Sequence, residues 1–308
     1  MIQERIQLLQ KAFGRSKLQN NGYELMVRCP VCKHPEKLKM NIRVDKGLWH
    51  CWVCTTAGRN VAKLLRMVNP SIAREWQIKY ATKLDLFDTK ELELPTLPAD
   101  FKIVMENLWD PEALAIRNYC NGRGITDSLL WRYRMGYSSE FKFRRKLIMP
   151  SFDCDGNLNY WTSRSIENDA KFKYMNAATK KSQIIFNEID IDWDANELVI
   201  VEGPLDLVKC SKVNATCLLG SALSRDAHLL YKIILNCIDV CLCLDPDAWE
   251  KQLKIAKTLT DFDINVRLAS PKEGDIGDLD PQTVVNLVNN SVEYNNTSAL
   301  MEKIKKMR

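Results

Sequence analysis

Two short apolar segments of this sequence each end in carboxylates. The first, residues 198–201, is closed by the turn signal Gly203-Pro204, and the second spans residues 240–244. Such runs predict buried strands of a parallel sheet, and ligands of open α/β sheets bind at the carboxyl ends of the strands. We therefore expect one crevice to hold the four carboxylates that follow these segments: Glu202, Asp206, Asp245 and Asp247.

The predicted crevice needs positive charge, because carboxylates at close range raise one another's pKa. A hard divalent cation is the usual remedy, and Mg²⁺ is bound through one or two carboxylates plus substrate phosphates. A further predicted strand, residues 264–269, leads to two more carboxylates, Asp275 and Asp278. The pattern predicts phosphate chemistry on a mainly parallel sheet; an ordinary α/β domain with acidic strand ends is the alternative.

Four cysteines form two Cys-x-x-Cys pairs on either side of a predicted hairpin: Cys29 with Cys32, and Cys51 with Cys54. Structural zinc takes four tetrahedral thiolate or imidazole ligands, so this spacing predicts one zinc site. His34 and His50 lie close by, but positions outside the ligand set are favoured for both. The other cysteines are scattered, several in apolar runs, which predicts free thiols in a reducing, cytoplasmic setting.

Basic and aromatic side chains surround the predicted zinc site. Two tryptophans, Trp49 and Trp52, lie between the basic residues, a combination suited to single-stranded nucleic acid, whose phosphates take the charges and whose bases stack. The alternative is a solvated basic hairpin with tryptophans packed against the metal site. The basic residues are Arg28, Lys33, Lys37, Lys39, Arg43, Lys46 and Arg59.

A second basic region precedes the acidic segments. Strand-like runs on either side of the turn Asp155-Gly156 predict an antiparallel hairpin. Its basic residues favour a phosphate-binding surface, although a solvated charged edge explains them equally well. The side chains concerned are Arg144, Lys146, Arg164 and Lys173, with Asn176 beyond them.

The composition is that of an ordinary globular protein with room for two domains. The chain has 308 residues, is 46% hydrophobic and 27% charged, and carries a formal net charge of +5. This mild positive charge is compatible with a polyanionic partner. No apolar stretch has the length of a membrane span, and the N-terminus lacks the plan of a signal peptide.

Taken in chain order, these motifs resemble the DnaG-type primases of bacteria and their bacteriophage relatives. Cys-Pro-x-Cys, a basic strand, a glycine turn and His-Cys-x-x-Cys resemble their zinc-binding domain, and V-E-G-x-x-D followed by D-x-D resembles their toprim module. Two departures stand out: Cys32 occupies a position usually held by His in the bacterial proteins, and residues 248–250 replace a small residue and glycine after D-x-D.

The resemblance implies a mixed α+β and α/β fold, with an N-terminal zinc ribbon joined by a linker to a toprim-containing primase catalytic domain with a mainly parallel central sheet. The implied domains are residues 1–85 (zinc-binding), 86–100 (linker), 101–195 (first part of the RNA polymerase domain), 196–282 (toprim) and 283–308 (tail). Nothing the size of a helicase-binding domain follows residue 280, which favours the compact phage form, working beside a separate replicative helicase.

The resemblance also implies the activity: a DNA-dependent RNA polymerase that makes short RNA primers on single-stranded DNA from ribonucleoside triphosphates. Asp245 and Asp247, with Asp206 or Asp278, would hold one or two Mg²⁺ or Mn²⁺ ions, and Asp275 is a further candidate. Glu202 would ligand a metal or accept a proton, and both roles stay open. The basic set Arg144, Lys146, Arg164, Lys173 and Asn176 would line the groove for template, primer or nucleotide.

Two other functions use the same residues. A toprim-type nuclease would employ the same carboxylates, and a non-catalytic zinc-ribbon regulator would bind single strands or RNA polymerase. A primase fused to its helicase is excluded because the sequence has no G-x-x-x-x-G-K-[ST] phosphate loop. The implied location is the cytoplasm, or the host cytoplasm for a phage-encoded protein.

Overall fold

A computed structural model of the chain describes residues 2–32, 37–58, 60–80, 94–220, 222–224, 226–271 and 274–295. Some of the predicted features lie outside the described residues: Lys33, His34, Arg59, the first part of the predicted linker and the end of the predicted tail. The chain divides into two compact units, one formed mainly before residue 87 and the other after it.

The first unit contains a five-stranded antiparallel sheet in the order β1-β2-β3-β4-β5. Its core is filled by the alternating residues of the strands, such as Leu25 and Val27 on one strand and Met40 and Ile42 on the next. The elements are α1 (Ile2–Phe13), β1 (Lys17–Gln19), β2 (Glu24–Val27), β3 (Met40–Arg43), β4 (Leu48–Cys51), β5 (Ala57–Gly58), α2 (Val61–Arg66) and α3 (Pro70–Tyr80).

Two helix boundaries of this unit differ from the sequence prediction. The spacing of Ile2, Ile6, Leu9 and Phe13 predicts a helix over residues 1–17, but the first helix ends at Phe13, because Gly14 takes a left-handed conformation with φ of +66°. The sequence also predicts a continuing helix over residues 61–85, but the structure has the separate helices α2 and α3. The side chain of Asn69 accepts a hydrogen bond from the amide of Ile72 at 3.1 Å, which caps the start of α3.

The second unit contains two sheets, one antiparallel and one mainly parallel. The antiparallel sheet has the order β10-β9-β8-β7-β6, and the second has the order β12-β11-β13-β14-β15. The elements of the first half are β6 (Lys102–Ile103), α4 (Pro111–Gly122), α5 (Asp127–Arg132), β7 (Gly136–Tyr137), β8 (Lys146–Phe152), β9 (Leu158–Ser165) and β10 (Tyr174–Asn176). Those of the second half are β11 (Glu197–Val201), α6 (Pro204–Lys209), β12 (Ala215–Cys217), α7 (His228–Asn236), β13 (Asp239–Cys243), α8 (Trp249–Asp261), β14 (Val266–Ala269), α9 (Pro281–Asn289) and β15 (Val292–Glu293).

Strands β8 and β9 form the predicted antiparallel hairpin. The turn between them contains Gly156 at φ of +85°, a conformation that glycine adopts without steric cost. The carboxylate of Asp153 accepts hydrogen bonds from the amides of Asp155 and Asn157 at 3.0 and 2.8 Å. This turn therefore fixes the register of the strands that carry the basic residues.

The predicted mainly parallel sheet is confirmed. Strands β12, β11, β13 and β14 are parallel neighbours, and β15 pairs antiparallel with β14 at the edge. Residues 198–201 of β11 and 240–243 of β13 are all buried, which explains their uninterrupted apolar sequence. One hydrophobic core joins the two sheets, because it includes Ile148 and Tyr160 of the antiparallel sheet together with Val199 of β11.

Helix α9 begins at Pro281 and is capped by the carboxylate of Asp280, which accepts hydrogen bonds from the amides of Gln282 and Thr283. Val284 and Val288 on this helix are buried in the core of the unit. The predicted boundary between toprim module and tail, after residue 282, therefore falls inside a packed helix. Among the residues that the structure describes, no helix is long and apolar enough to cross a membrane.

The buried cysteines of the second unit should resist alkylation in the native protein. Burial raises the pKa of Cys120, Cys241 and Cys243 to about 12 and also raises that of Cys217, whereas Cys154 is exposed. We expect iodoacetamide at pH 8 to label Cys154 first and the other four only after unfolding, as read by mass spectrometry of peptides. Early labelling of Cys241 would contradict the buried β13.

Candidate functional site

The four paired cysteines converge in the first unit. Their sulfur atoms all lie within 4.8 Å of one another, with Cys29 3.7 Å from Cys54 and Cys32 3.8 Å from Cys51. Thiolates bound at about 2.3 Å to a tetrahedral zinc ion lie about 3.8 Å apart. Among the described residues this is the single group of three or more metal-binding side chains close enough together to share an ion. The cluster therefore fits one zinc ion.

Two thiols of the cluster have opposite pKa shifts, because burial raises the pKa of Cys29 to about 12 whereas that of Cys51 is lowered. Burial acts to raise the pKa of Cys51, but hydrogen bonds from the backbone at Cys54 and Val53 and from neighbouring thiols lower it to about 7. His50 lies on β4, outside the cluster, with its ring 4.6 Å from that of Trp52 in an edge-to-face arrangement.

The two tryptophans of the first unit have different environments. Trp49 donates a hydrogen bond from Nε1 to the carbonyl of Asn60 at 3.0 Å, and its ring covers Gly58, where a Cβ atom would come within 2.4 Å. Trp52 is 66% exposed. Trp49 is therefore held by packing, whereas Trp52 presents its ring to solvent, where a base can stack on it.

Four carboxylates follow the neighbouring strands β11 and β13, which pair in parallel. Glu202 directly follows β11, and Asp245 follows β13 after one intervening residue. Asp206 lies in the first turn of α6. The amide of Gly203 donates to Oδ2 of Asp206 at 2.9 Å. These carboxylates, with Asp247 and the two that follow β14, form what we call the acidic edge: Glu202, Asp206, Asp245, Asp247, Asp275 and Asp278.

A short 3₁₀ turn, Ile276–Asp278, brings the end of the acidic edge against α6. The approach is close, because a Cβ atom on Gly277 would lie 3.0 Å from Oδ1 of Asp206. The amide of Ile276 also donates to Oδ1 of Asp245 at 3.5 Å. The turn therefore links the carboxylates that follow three different strands.

Negative charge accumulates at the acidic edge. Burial, together with the carboxylates of Asp245, Asp275 and Glu202, raises the pKa of Asp206 to about 6. Burial and the neighbouring carboxylates also raise the pKa of Asp245. Repulsion between these neighbouring carboxylates costs free energy, and a divalent cation would offset that cost. Their oxygens do not form a preassembled ligand cluster like that of the thiols, as expected where repulsion is uncompensated.

Three cations near the acidic edge were missed by the sequence analysis. Lys251 of α8 lies 3.0 Å from Oε1 of Glu202, and Arg123, which follows α4, lies 3.7 Å from Asp278. Lys209 is only 2% exposed, and its Nζ donates to the carbonyl of Arg123 at 2.5 Å. No sequence signal marks these partners, because the pairs are formed by tertiary structure.

The basic residues of the antiparallel sheet occupy one region. Arg164 of β9 is opposite Tyr174 of β10, with its guanidinium 5.1 Å from the ring centroid and a hydrogen bond to the hydroxyl group. Burial chiefly raises the pKa of Tyr174, and the carboxylate of Asp206 contributes. Tyr174 is therefore within electrostatic range of Asp206. Lys173 and Asn176 are exposed beside Tyr174.

The remaining predicted basic residues lie before β8. Arg144 is exposed, and Nζ of Lys146 donates to the carbonyl of Lys142 at 2.9 Å. Arg145, which the sequence analysis did not select, pairs with Glu167 at 2.6 Å. Arg145 is therefore paired with a carboxylate, whereas the adjacent Arg144 presents its charge to solvent.

Zinc content tests the thiol cluster. We expect one zinc ion per chain in the wild type and almost none in Cys51→Ser, because three thiolates no longer complete the tetrahedron. The first unit should then lose its cooperative unfolding transition, since so small a unit depends on the metal. Cys154→Ser, which removes an exposed cysteine of the second unit, is the control for metal analysis and calorimetry. A Cys51→Ser variant with full zinc content would exclude this cluster.

Charge at the acidic edge makes metal-free stability depend on pH. The folded-state pKa of Asp206 lies above its ordinary value, so ionising this group destabilises the folded protein increasingly as the pH rises through about 6. Asp206→Asn should therefore raise the melting temperature of the protein more at pH 8 than at pH 5, in buffer free of EDTA and of added metal. The gain in the free energy of unfolding has an upper limit of about 3 kcal/mol.

The exposed Asp155, changed to Asn in the same unit, is the control and should leave the melting temperature unchanged at both values of pH. Differential scanning calorimetry reads the result from the transition of the second unit. A lower melting temperature for Asp206→Asn at pH 8 would show that the Asp206 carboxylate stabilises the metal-free fold instead.

Comparison with known proteins relates the chain to bacterial primases. No protein-family model matches it. A DNA primase of Mycoplasma genitalium is 26% identical to this chain, in an alignment that covers 68% of this chain and 45% of that protein. The chain thus spans about half the length of the curated relatives that it matches. A phage-encoded origin stays a prediction, because these relatives are bacterial proteins.

Solved structures share the fold. The zinc-binding and RNA polymerase domains of the Aquifex aeolicus primase match with a TM-score of 0.51 and 20% identity, over 95% of this chain and 86% of that one. The RNA polymerase domain of the Mycobacterium tuberculosis primase DnaG matches with a TM-score of 0.53 and 17% identity, over 61% and 79% of the two chains. The predicted fold is confirmed: the chain has the fold of the zinc-binding and RNA polymerase domains of these primases, and its sequence is similar to that of bacterial DNA primases.

Proposed function

We propose that the chain is a DNA primase, a DNA-directed RNA polymerase that makes short RNA primers on single-stranded DNA. The observation that carries the proposal is the parallel pairing of β11 with β13, which leads Glu202 and Asp245 to one edge of the sheet. The relationship to bacterial primases supports the same activity.

The acidic edge fits a site for divalent cations, because burial and neighbouring carboxylates raise the pKa of two of its carboxyl groups. Asp245 and Asp247, with Asp206 or Asp278, would hold one or two Mg²⁺ or Mn²⁺ ions, and Asp275 is a further candidate. Bound divalent cations supply activation of a hydroxyl nucleophile and stabilisation of charge on the attacked phosphate.

Glu202 would act as a metal ligand or accept the proton of the attacking 3′-hydroxyl. Lys251 contacts Oε1 of this carboxylate at 3.0 Å, which leaves Oε2 to take either role. The ion pair is partly buried, with side-chain exposures of 22% and 28%. Lys251 therefore restricts the orientation of Glu202 without occupying both of its oxygens.

The antiparallel sheet would bind the sugar-phosphate backbone of template and primer. Arg164 is braced by Tyr174, whose pKa is raised in part by the carboxylate of Asp206, so we propose that a phosphate bound by its guanidinium would lie within reach of the acidic edge. The residues proposed to share this role are Arg144, Lys146, Lys173 and Asn176.

The first unit would engage single-stranded template. Its exposed Trp52 offers a stacking surface, and Arg28, Lys37, Lys39 and Lys46 are exposed in the same unit. The polymerase domain of the M. tuberculosis primase has been solved in complex with double-stranded DNA, which supports a nucleic-acid partner here. A replicative helicase partner, ribonucleoside triphosphate substrates and a cytoplasmic setting are proposed from the primase relationship alone.

A priming assay tests the proposed function. We expect the full chain, with single-stranded phage DNA, labelled ribonucleotides and Mg²⁺, to make short RNA products. Asp245→Ala/Asp247→Ala should reduce product by at least about 10³-fold, because the carboxylates that hold the cations are lost. Zinc content of this variant should equal that of the wild type.

The matched control is Asp155→Ala/Asp261→Ala, which removes two exposed carboxylates of the same unit away from the acidic edge. It should prime as the wild type does. Nicked or shortened template without RNA product, even after addition of a helicase, would favour the nuclease. DNA binding that needs zinc, with no chemistry under any condition, would favour the non-catalytic regulator.

A further inference from the structure

Lys209 is a buried basic residue on the helix that carries Asp206. It is the last residue of α6, its side chain is only 2% exposed, and its neighbours Val208 and Cys210 are buried apolar residues. Burying an ammonium group costs free energy unless the group is paired or hydrogen-bonded. An apolar side chain would fill this position without that cost, so packing alone does not account for a lysine here.

The ammonium group of Lys209 lies at the end of α4. Its Nζ donates to the carbonyl oxygen of Arg123 at 2.5 Å, and a Cβ atom on the next residue, Gly124, would lie 3.2 Å from Nζ. Arg123 is the C-terminal cap of α4, where carbonyl groups lack partners within the helix and where the helix dipole favours a cation. Lys209 therefore fixes the backbone of Arg123 with a hydrogen bond that the helix itself does not supply.

The side chain of Arg123 runs from this fixed point to the acidic edge. Its Nη2 lies 3.7 Å from Oδ1 of Asp278. A Cβ atom on Gly277 would lie 3.8 Å from the same nitrogen and 3.0 Å from Oδ1 of Asp206. The guanidinium is thus located at the 3₁₀ turn that carries Asp278 and packs against Asp206.

Lys209 and Asp206 share one face of α6, because they are three residues apart on the helix. Asp206 meets the acidic edge directly, whereas Lys209 reaches it through Arg123. Burial lowers the pKa of Lys209, as does the guanidinium of Arg123, whereas the carboxylates of Asp278 and Asp280 raise it. The ammonium of Lys209 is therefore within electrostatic range of the carboxylate that Arg123 contacts.

We propose that Lys209 is a positioning residue for the divalent cations of the acidic edge; the inference rests on the proposed function, in which these carboxylates hold the ions. Lys209 fixes the end of α4, and the end of α4 fixes the guanidinium that orients Asp278. The Asp278 side chain is 67% exposed, so without this partner it would rotate in solvent. A cation bound through Asp278 would then bind more weakly, because its ligand would have to be ordered on binding.

Two effects of removing the Lys209 ammonium have opposite signs. The loss of a positive charge near the carboxylates would by itself strengthen their attraction for a divalent cation. The loss of a fixed orientation for Asp278 would weaken cation binding. The positioning role therefore predicts weaker binding, whereas a purely electrostatic role predicts tighter binding.

The test is Mn²⁺ binding by the full, zinc-loaded chain, read from the electron paramagnetic resonance signal of free Mn²⁺. Lys209→Met, which replaces the ammonium with an apolar group, should raise the Kd for Mn²⁺ about tenfold, as losses of groups that orient metal ligands do. Lys209→Arg, which can donate to the same carbonyl, should bind Mn²⁺ as the wild type does. The control is Lys212→Met, which removes an exposed ammonium that bonds to Gln282 at 3.1 Å, and it should leave the Kd unchanged.

A second variant keeps the test decisive if Lys209→Met does not fold, which its zinc content and circular dichroism would show. Arg123→Gln retains the backbone carbonyl that Lys209 binds but removes the guanidinium beside Asp278, so it should also raise the Kd for Mn²⁺ about tenfold. The variant with both changes should bind Mn²⁺ as weakly as Arg123→Gln alone, because the two changes interrupt one chain of contacts.

Priming supplies an independent measurement. The Mg²⁺ concentration that gives half-maximal priming should rise about tenfold in Lys209→Met, and excess Mg²⁺ should restore the wild-type rate. A general distortion of the fold would not be corrected by added metal.

Unchanged Mn²⁺ affinity in Lys209→Met or Arg123→Gln, with priming intact in the wild type, would overturn this inference and leave the proposed function standing. Tighter binding in either variant, additive effects in the double variant, or a wild type that binds no Mn²⁺ would also overturn it. The expected losses of Mn²⁺ affinity in a chain that makes no primers would instead remove the proposed function and leave the positioning role in place.

Discussion

Repulsion among the carboxylates at the end of the parallel sheet is the constraint on which the site depends. Two buried neighbouring strands direct Glu202 and Asp245 to the same edge, and their backbones cannot separate without loss of the β11–β13 ladder. The cost appears in the raised pKa of Asp206. Backbone amides of Gly203 and Ile276 and the ammonium of Lys251 offset part of it. The remaining negative charge favours the binding of divalent cations at this edge.

The acidic edge and the basic sheet are held together by a shared hydrophobic core. Ile148 and Tyr160 of the antiparallel sheet belong to the same buried cluster as Val199 and Val201 of β11. Close-packed cores deform little, so the position of Arg164 relative to Asp206 is fixed by apolar packing rather than by an ion pair between the two sides.

The sequence predicts those parts of the site that depend on local pattern. Buried strands are readable as apolar runs, and their carboxyl-terminal acids follow at once in the sequence; the zinc ligands are readable from their spacing. Contacts formed by distant segments left no such signal. Arg123 contacts Asp278, although more than half of the sequence of the second unit separates the two residues. Trp49 is held by its packing on Gly58, a contact that hydrophobic periodicity does not reveal. Helix ends were misplaced where Gly14 and Asn69 decided them through backbone conformation and capping.

The departure from the primase pattern after Asp247 has a structural consequence. Where the bacterial proteins usually have a small residue and glycine, this chain has Ala248, Trp249 and Glu250, and α8 begins at Trp249. Lys251 therefore lies in the first turn of the helix, near enough to pair with Glu202. Glycine at such a position would loosen the start of the helix, because it raises the entropy of the unfolded turn. The helix start at Trp249 thus leaves Lys251 beside Glu202, and the ion pair between them restricts the orientation of that carboxylate.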